Sequence, residues 1–196
     1  MKNRLDQILD AVDRVNAMDP NVSLDGDCLR PSELVYGERM SETLGHFCET
    51  ASDHLRIAAR AQHIERWTSL RDSYPAGREG YLKWRSDLKS FHARRTGELM
   101  DAAGFDQADI DRVATLIGKR GIKQDPEVQM LEDVACLVFL KYYASDFVAK
   151  HPDAKVADIL RKTARKMSDE GIAAATQLSL PERLGSLLTN TLAESP

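Results

Sequence analysis

Apolar residues recur at spacings of three and four along almost the whole chain, and this periodicity constrains the fold more than any other feature. The first segment shows it, because Leu5, Ile8, Leu9, Val12 and Val15 share one face of a helix. Such spacing is typical of an amphipathic helix, whereas a half-buried strand alternates apolar and polar residues. No segment fits a strand better than a helix. The sequence therefore predicts an all-α protein, a bundle of about eight helices.

Several local signals mark where the helices begin and end. The clearest start is Asp125-Pro126-Glu127, which combines a capping acid, a proline at the first helical position and a second acid near the positive end of the dipole. The run Val134–Leu140 that follows is apolar on every side, so we expect this helix to be central and buried. Residues 19–31 and 68–80 have loop and turn chemistry. The other helices are predicted at about residues 2–17, 32–47, 52–67, 81–103, 106–121, 156–167 and 181–192.

Composition and charge argue against several classes of protein. A chain of 196 residues is expected to form one domain, here spanning 1–196. Its 27 Lys and Arg against 31 Asp and Glu give a net charge of −4, which argues against a nucleic-acid binder and a polybasic membrane binder. The longest strongly apolar run, seven residues, is far shorter than the roughly 20 of a membrane span. Three cysteines without a CxxC pair, and an opening segment without a signal's apolar core, predict a cytoplasmic protein.

Polar residues fall on helix faces that the periodicity predicts to be buried. On the long helix, His92 belongs to an inward series with Tyr81, Arg85 and Leu88, so its imidazole is expected to face the core or a cleft. His63 lies near the end of the preceding helix. For each histidine, a structural side chain hydrogen-bonded to a carbonyl is the alternative to a functional one.

Two adjacent acids, Glu132 and Asp133, directly precede the apolar run of the central helix. A carboxylate on a helix covered all round must be paired, hydrogen-bonded or metal-bound, because burying it bare costs many kcal/mol. The alternative is that both acids lie near the first turns and pair with a surface lysine or arginine.

Basic residues concentrate around both candidate histidines. Residues 56–95 contain ten Lys and Arg against four Asp and Glu, so this segment carries +6 and the rest of the chain −10. Aromatic residues are interleaved with them, including Tyr81 and Trp84. This mixture suits a phosphate or carboxylate ligand that carries a stackable ring. A solvated helix face that pairs with its own acids is the alternative.

The segment from Tyr36 to Trp67 resembles the opening of an HD-domain metal-dependent phosphohydrolase. That superfamily pairs an HxxRV helix with a later helix ending in AxxxHD; here YGERM begins at Tyr36, and Gln62-His63 stands at the second position. His92 falls on the third histidine of the pattern, and Asp133 on its closing aspartate. The resemblance implies an HD-like core at about 32–150, with the N-terminal helix 2–17 and C-terminal helices 155–193 packed on it.

A second resemblance is more specific. The strings YGERM, RAQHIERW, SYPAGREGYLKWR, KSFHA and LEDVACLVFL occur in this order and are similar to the family called domain of unknown function 4202. That family brings no known activity.

The HD resemblance implies a set of site residues, although tyrosine replaces the first histidine and Gln-His replaces His-Asp. The remaining ligands for a divalent Fe, Mn or Zn ion would be His63, His92 and Asp133. Glu132 and Glu38 would be the catalytic carboxylates. An anionic, phosphorylated small molecule would be bound by a set of basic and aromatic side chains: Arg66, Arg78, Tyr81, Trp84 and Arg85.

Three functions remain open at this stage. The first is a metal-dependent hydrolase of a phosphorylated small molecule or nucleotide, in which the ion activates a bound water. The second is a non-catalytic helical module that binds a ligand or partner through a degenerate HD site. The third is an iron oxygenase of the HD type. The sequence leaves the substrate, the metal and the oligomeric state open.

Overall fold

The computed structural model describes residues 3–193 and is helical over most of that length, which confirms the all-α prediction. Its contacts divide the chain into two compact units, the first ending at Arg120 and the second beginning at Gly121. Residue 2, where we expected the first helix to begin, lies outside the described residues, as do residues 1 and 194–196 of the expected domain. The organisation as one HD-like domain stays a prediction.

From residue 3 onward, where the structure describes it, the first unit contains five helices and a short hairpin between the first and second. Two 3₁₀ turns, Arg66–Thr68 and Arg71–Ser73, lead into the longest helix. Its elements in chain order are α1 (Arg4–Asn16), β1 (Val22–Asp25), β2 (Cys28–Pro31), α2 (Ser32–Phe47), α3 (Asp53–Arg60), α4 (Gly77–Ala102) and α5 (Gln107–Gly118).

The core of the first unit forms where α3 is enclosed by its neighbours α1, α2 and α5. A glycine allows the closest of these approaches. A Cβ placed on Gly37 of α2 would lie 2.8 Å from the carbonyl oxygen of Arg60 at the end of α3. Because real Cβ contacts of this kind are essentially never so short, glycine is required where α2 meets the end of α3. This crossing positions the segment that carries His63.

The hairpin replaces part of the loop that we expected over residues 19–31, so that prediction was wrong there. β1 and β2 pair antiparallel with Leu24 opposite Leu29, and Gly26 at φ 59° makes the turn. The strands have only four residues each, too few for the alternation to dominate the sequence pattern. The Gly-Asp pair between two alternating segments is nevertheless a recognised hairpin signal.

Two helix ends in the first unit differ most from the expected positions. α3 stops at Arg60 rather than near residue 67, and Glu65 takes a left-handed conformation at φ 49°. Distant partners hold that turn, because the Glu65 backbone N–H donates to Asn16 Oδ1 at 3.1 Å and its carboxylate pairs with Arg95. α4 begins four residues before the expected Tyr81.

As far as residue 193, the second unit contains five helices, and the first of them, α6 (Pro126–Val138), begins at the predicted Asp125-Pro126-Glu127 signal. The Asp125 carboxylate accepts hydrogen bonds from the backbone of Glu127 and Val128, as a capping acid should. A π-helical turn, Phe139–Tyr143, connects it to the next helix. The helices are α6 (Pro126–Val138), α7 (Ala144–Lys150), α8 (Asp153–Ala164), α9 (Asp169–Thr176) and α10 (Glu182–Ala193).

The burial of α6 agrees with its apolar sequence, whereas the short helix α9 was not expected. Most residues of α6 are buried, including both Glu132 and Asp133. α9 is only eight residues long, and its N-cap, Ser168, accepts a hydrogen bond from the Gly171 backbone. Within residues 3–193, no helix combines the length and the apolar character needed to cross a bilayer.

Candidate functional site

A small recess in the first unit brings together several of the residues singled out from the sequence. It lies among the segment after α3, the middle of α4 and the end of α5, and its volume is about 30 Å³. That is far below the roughly 300 Å³ of a pocket enclosing a drug-sized ligand, so the recess admits one small group. Its lining residues are Gln62, His63, Arg66, Arg85, Leu88, Lys89, His92, Ile117 and Lys119.

Four of the lining side chains are cationic: Arg66, Arg85, Lys89 and Lys119. Among the described residues, Arg85 has no hydrogen bond or ion pair, so its guanidinium group is available to a ligand. Lys119 is placed by the left-handed end of α5, where its φ is 53°. Cations gathered at one recess favour an anionic ligand, and an arginine can bind a phosphate or carboxylate with two parallel hydrogen bonds.

His63 is held on three sides by neighbouring groups. Its ring stacks on Tyr36 with centroids 3.9 Å apart and planes 9° from parallel. Arg66 Nη1 lies 3.2 Å from its Nε2, and because the guanidinium can only donate, Nε2 accepts and Nδ1 carries the proton. Nδ1 is 3.3 Å from Glu33 Oε2. Burial, followed by the charges of Arg66, Lys119 and Arg85, lowers the pKa of His63 well below its ordinary value, so the ring is neutral.

His92 is 3% exposed and is anchored by one of its two ring nitrogens. Nδ1 donates to the carbonyl oxygen of Ile64 at 2.8 Å, which leaves a lone pair on Nε2. Burial and the neighbouring His63, whose ring centroid is 6.0 Å away, lower the pKa of His92 to about 3. The carbonyl contact is the one expected of a structural histidine, but it accounts for only one nitrogen. The other stays available for chemistry or binding.

Glu33 lies behind His63 and was not anticipated from the sequence. Burial raises its pKa to about 7, against the opposing influence of Arg66, and the carboxylate of Asp19 adds to the rise. Arg66 Nε is 4.0 Å from Glu33 Oε1, beyond hydrogen-bonding distance. A carboxyl group beside a neutral imidazole, with a pKa near neutrality, is an arrangement often found at functional sites.

Of the two aromatic residues predicted for the ligand site, Trp84 lies against Arg66 and Tyr81 lies against Trp84. The Arg66 guanidinium sits over the Trp84 ring, 5.0 Å from its centroid, and Trp84 Nε1 donates to the Ser69 carbonyl at 3.0 Å. Tyr81 is 43% exposed, and its ring is tilted against Trp84 with centroids 6.0 Å apart. The predicted inward series was therefore partly wrong: Trp84, rather than Tyr81, is buried on α4. Its stacking fixes Arg66 at the recess.

Two predicted residues of the first unit do not line the recess. Arg78 lies on the exposed first turn of α4. Glu38 is engaged elsewhere, because its two carboxylate oxygens lie 2.8 and 2.7 Å from the guanidinium nitrogens of Arg30 on β2. This ion pair ties the hairpin to α2.

Glu132 and Asp133 belong to the second unit, and each contacts other residues of that unit. Asp133 is 1% exposed and accepts three hydrogen bonds: from Ser168 N at 2.8 Å, Ser168 Oγ at 2.7 Å and Gln129 Nε2 at 3.0 Å. A Cβ on Gly171 would lie 2.6 Å from Asp133 Oδ1. The Glu132 carboxylate is 3.6 Å from Lys166 Nζ. These contacts make Asp133 an anchor for the start of α9.

The described residues do not fit the metal site that the HD resemblance implies. Within residues 3–193, no group of three or more His, Cys, Asp or Glu side chains is arranged to hold a metal ion. Both nitrogens of His63 face other groups, and the recess is lined by four cations that would repel a divalent ion. The metal ligands therefore stay a prediction from resemblance.

Three charged side chains at or behind the recess were not predicted from the sequence. For two of them, the helical spacing could have indicated their position. Lys89 follows Arg85 by four residues and precedes His92 by three, so all three share one face of α4. Glu33 precedes Tyr36 by three residues on α2. Lys119 could not be identified in this way, because it lies just after α5 in a left-handed conformation, and this backbone conformation sets where its side chain points.

Comparison with known proteins gives one family. No curated protein and no solved structure matches the chain. The family described as "Domain of unknown function (DUF4202)" matches residues 6–188, nearly the whole chain. The protein therefore belongs to the DUF4202 family, the one that its ordered sequence strings resemble.

Proposed function

We propose that the recess binds the phosphate group of a phosphorylated small molecule. The observation that carries this proposal is the gathering of four cationic side chains around two neutral histidines in one recess. In a partly desolvated site, such cations interact more strongly with an anion than they would in water.

The small volume supports recognition of the phosphate rather than of the whole molecule. A recess of about 30 Å³ accommodates one compact group, so the rest of the ligand would lie outside it. Tyr81 is half-exposed beside Trp84 and offers an aromatic surface to a ring in that position. A nucleotide is one ligand with this combination of groups.

The test is isothermal titration of the purified full chain with inorganic phosphate. Arg85→Gln is expected to weaken binding at least tenfold, because a hydrogen bond to a charged group contributes about 1.5–3 kcal/mol. Arg78→Gln is the matched control: it removes the same charge from the same helix but outside the recess, so binding is expected to change less than twofold. Equal weakening by both substitutions would contradict specific binding at the recess.

Hydrolysis of the bound ester is a second candidate, favoured by the available lone pair on His92 Nε2. With a pKa of about 3 the imidazole is too weak a base to take a proton efficiently at neutral pH, so the role of Nε2 would be to accept a hydrogen bond from the attacking water and orient it. Phosphate release from p-nitrophenyl phosphate, measured with chelator and then with Mn²⁺, Fe²⁺ or Zn²⁺, tests both hydrolysis and the metal expected from the HD resemblance. Oxygen consumption with bound iron would instead identify an oxygenase.

A further inference from the structure

Two residues that line the recess each carry a buried hydrogen-bond acceptor without a partner. His92 Nε2 and Gln62 Oε1 have no hydrogen-bond donor within residues 3–193, and their residues are only 3% and 8% exposed. Most buried polar atoms in proteins are hydrogen-bonded, so two orphaned atoms in one small recess need an explanation.

Both atoms can only accept. Because His92 Nδ1 donates its proton to the Ile64 carbonyl, Nε2 carries a lone pair, and Gln62 Oε1 is a carbonyl oxygen. The cations of the recess attract an anion, but an ordinary anion brings only further lone pairs. A ligand that satisfies the recess must be anionic and must also donate a hydrogen bond.

We propose that the recess is selective for a tetrahedral oxyanion that still carries a proton, namely hydrogen phosphate or a protonated phosphate monoester, over a fully deprotonated oxyanion such as sulfate. This inference rests on the proposed function and defines the form of phosphate that is bound. The P–OH group donates to His92 Nε2 or Gln62 Oε1, while the other oxygens face Arg66, Arg85, Lys89 and Lys119.

Sulfate would be rejected by the same two atoms. It has similar size and charge to hydrogen phosphate but no proton at neutral pH, so its oxygens would face the lone pairs of the acceptors. Specificity often depends on such a repulsive element as well as on attraction. The cost of a buried, unsatisfied acceptor corresponds to about a tenfold to hundredfold difference in dissociation constant.

The experiment compares sulfate, inorganic phosphate and methyl phosphate by isothermal titration of the full chain at pH 8 and pH 5.5. At pH 8, inorganic phosphate keeps one proton, whereas methyl phosphate, with a second pKa of about 6, has lost its own. We expect inorganic phosphate to bind at least tenfold more tightly than either of the others at pH 8. At pH 5.5, where methyl phosphate is largely protonated again, we expect its dissociation constant to come within about threefold of that of inorganic phosphate. If methyl phosphate stays about tenfold weaker at pH 5.5, selection by the proton on the ligand is contradicted.

Sulfate is the control for titration of the protein, since its own charge is unchanged between these two pH values. The charged or titratable groups near His92 are His63, Glu33 behind it, and the four lining cations Arg66, Arg85, Lys89 and Lys119. Any effect of their titration alters sulfate and methyl phosphate together. The ratio of the two dissociation constants therefore isolates the proton on the ligand.

A variant locates the selectivity. Gln62→Met removes one acceptor with little change of volume and is expected to reduce the preference for phosphate over sulfate at pH 8 by at least threefold. Arg78→Gln, outside the recess, is expected to leave the preference unchanged. Equal affinity of the wild type for sulfate and phosphate at pH 8 would overturn this inference while leaving anion binding intact. Absence of binding by both anions would overturn the proposed function as well.

Discussion

Replacing Asp133 distinguishes a structural carboxylate from a metal ligand. Its two oxygens accept three hydrogen bonds, two of them from Ser168 at the start of α9. The Ser168 hydroxyl in turn accepts from the Gly171 backbone and caps the helix. Asp133→Ala would therefore leave the Ser168 N–H without its acceptor and would loosen the cap. The Gln129 amide would lose one of its two acceptors and keep the Lys166 carbonyl.

The expected loss follows from these contacts. Hydrogen bonds to a charged group contribute about 1.5–3 kcal/mol each but are not additive, so Asp133→Ala should lower the free energy of unfolding by about 3–5 kcal/mol. Asp133→Asn keeps one oxygen for Ser168 N and Gln129, and its new amide can donate to the Ser168 hydroxyl. Its loss should therefore be only about 1–2 kcal/mol.

Urea unfolding of the variants, with and without excess chelator, measures these differences. A structural role predicts the same loss in both conditions, whereas a metal ligand predicts a loss that disappears with chelator, because the metal's contribution is then removed from both proteins. Asp169→Asn is the matched control, an exposed acid beside Ser168, for which a loss of at most about 1 kcal/mol is expected. A loss below about 1 kcal/mol for Asp133→Ala would refute the anchoring role.

Three further predictions concern stability. Gly171→Ala should destabilise the protein by about 1–3 kcal/mol, because the new Cβ would lie 2.6 Å from the fixed Asp133 Oδ1. Gly185→Ala in α10 is the control: its Cβ would meet open space, so it should stabilise the protein by about 0.5–1 kcal/mol. Urea unfolding measures both changes. The pKa of Glu33 is about 7 in the folded protein against an ordinary 4.5. The free energy of unfolding of the wild type should therefore fall relative to that of Glu33→Gln as pH rises from 4.5 to 7, by about 3 kcal/mol in total. A difference between the two proteins that does not change with pH would contradict this. His92 should have the opposite pH dependence, because its folded pKa of about 3 lies below the ordinary 6.5. The free energy of unfolding of the wild type should fall relative to that of His92→Gln as pH drops below 6.5, by about 1.4 kcal/mol per pH unit. Urea unfolding at pH 7, 6 and 5 measures this slope.

Local signals predicted much of the fold. The starts of α2 at Ser32 and of α6 after Asp125 were both correct. Apolar spacing marked the first and a capping acid the second, and both signals involve residues that are neighbours in the sequence. The end of α3 was not correct, because the turn at Glu65 is held by Asn16, 49 residues away. No local pattern contains such a contact.

The candidate site shows the same limit. Arg66, Arg85 and His92 were all singled out from the sequence and line one recess, and two of them share a face of α4. Arg78 was placed with them because of its charge alone, and its position on the first turn leaves it exposed. The concentration of basic residues in the sequence predicted that the recess is cationic. Which of these basic residues line the recess depends on tertiary packing.

The stacking of Arg66 on Trp84 gives the recess an intrinsic optical reporter. The emission of an indole depends on the charges beside it, and the guanidinium lies 5.0 Å from the ring centroid while also lining the recess. An anion that draws Arg66 away from the ring should therefore change the tryptophan fluorescence of the protein. The chain has two tryptophans, so Trp67→Phe leaves Trp84 as the single emitter. Ligands can then be screened by fluorescence titration without any label.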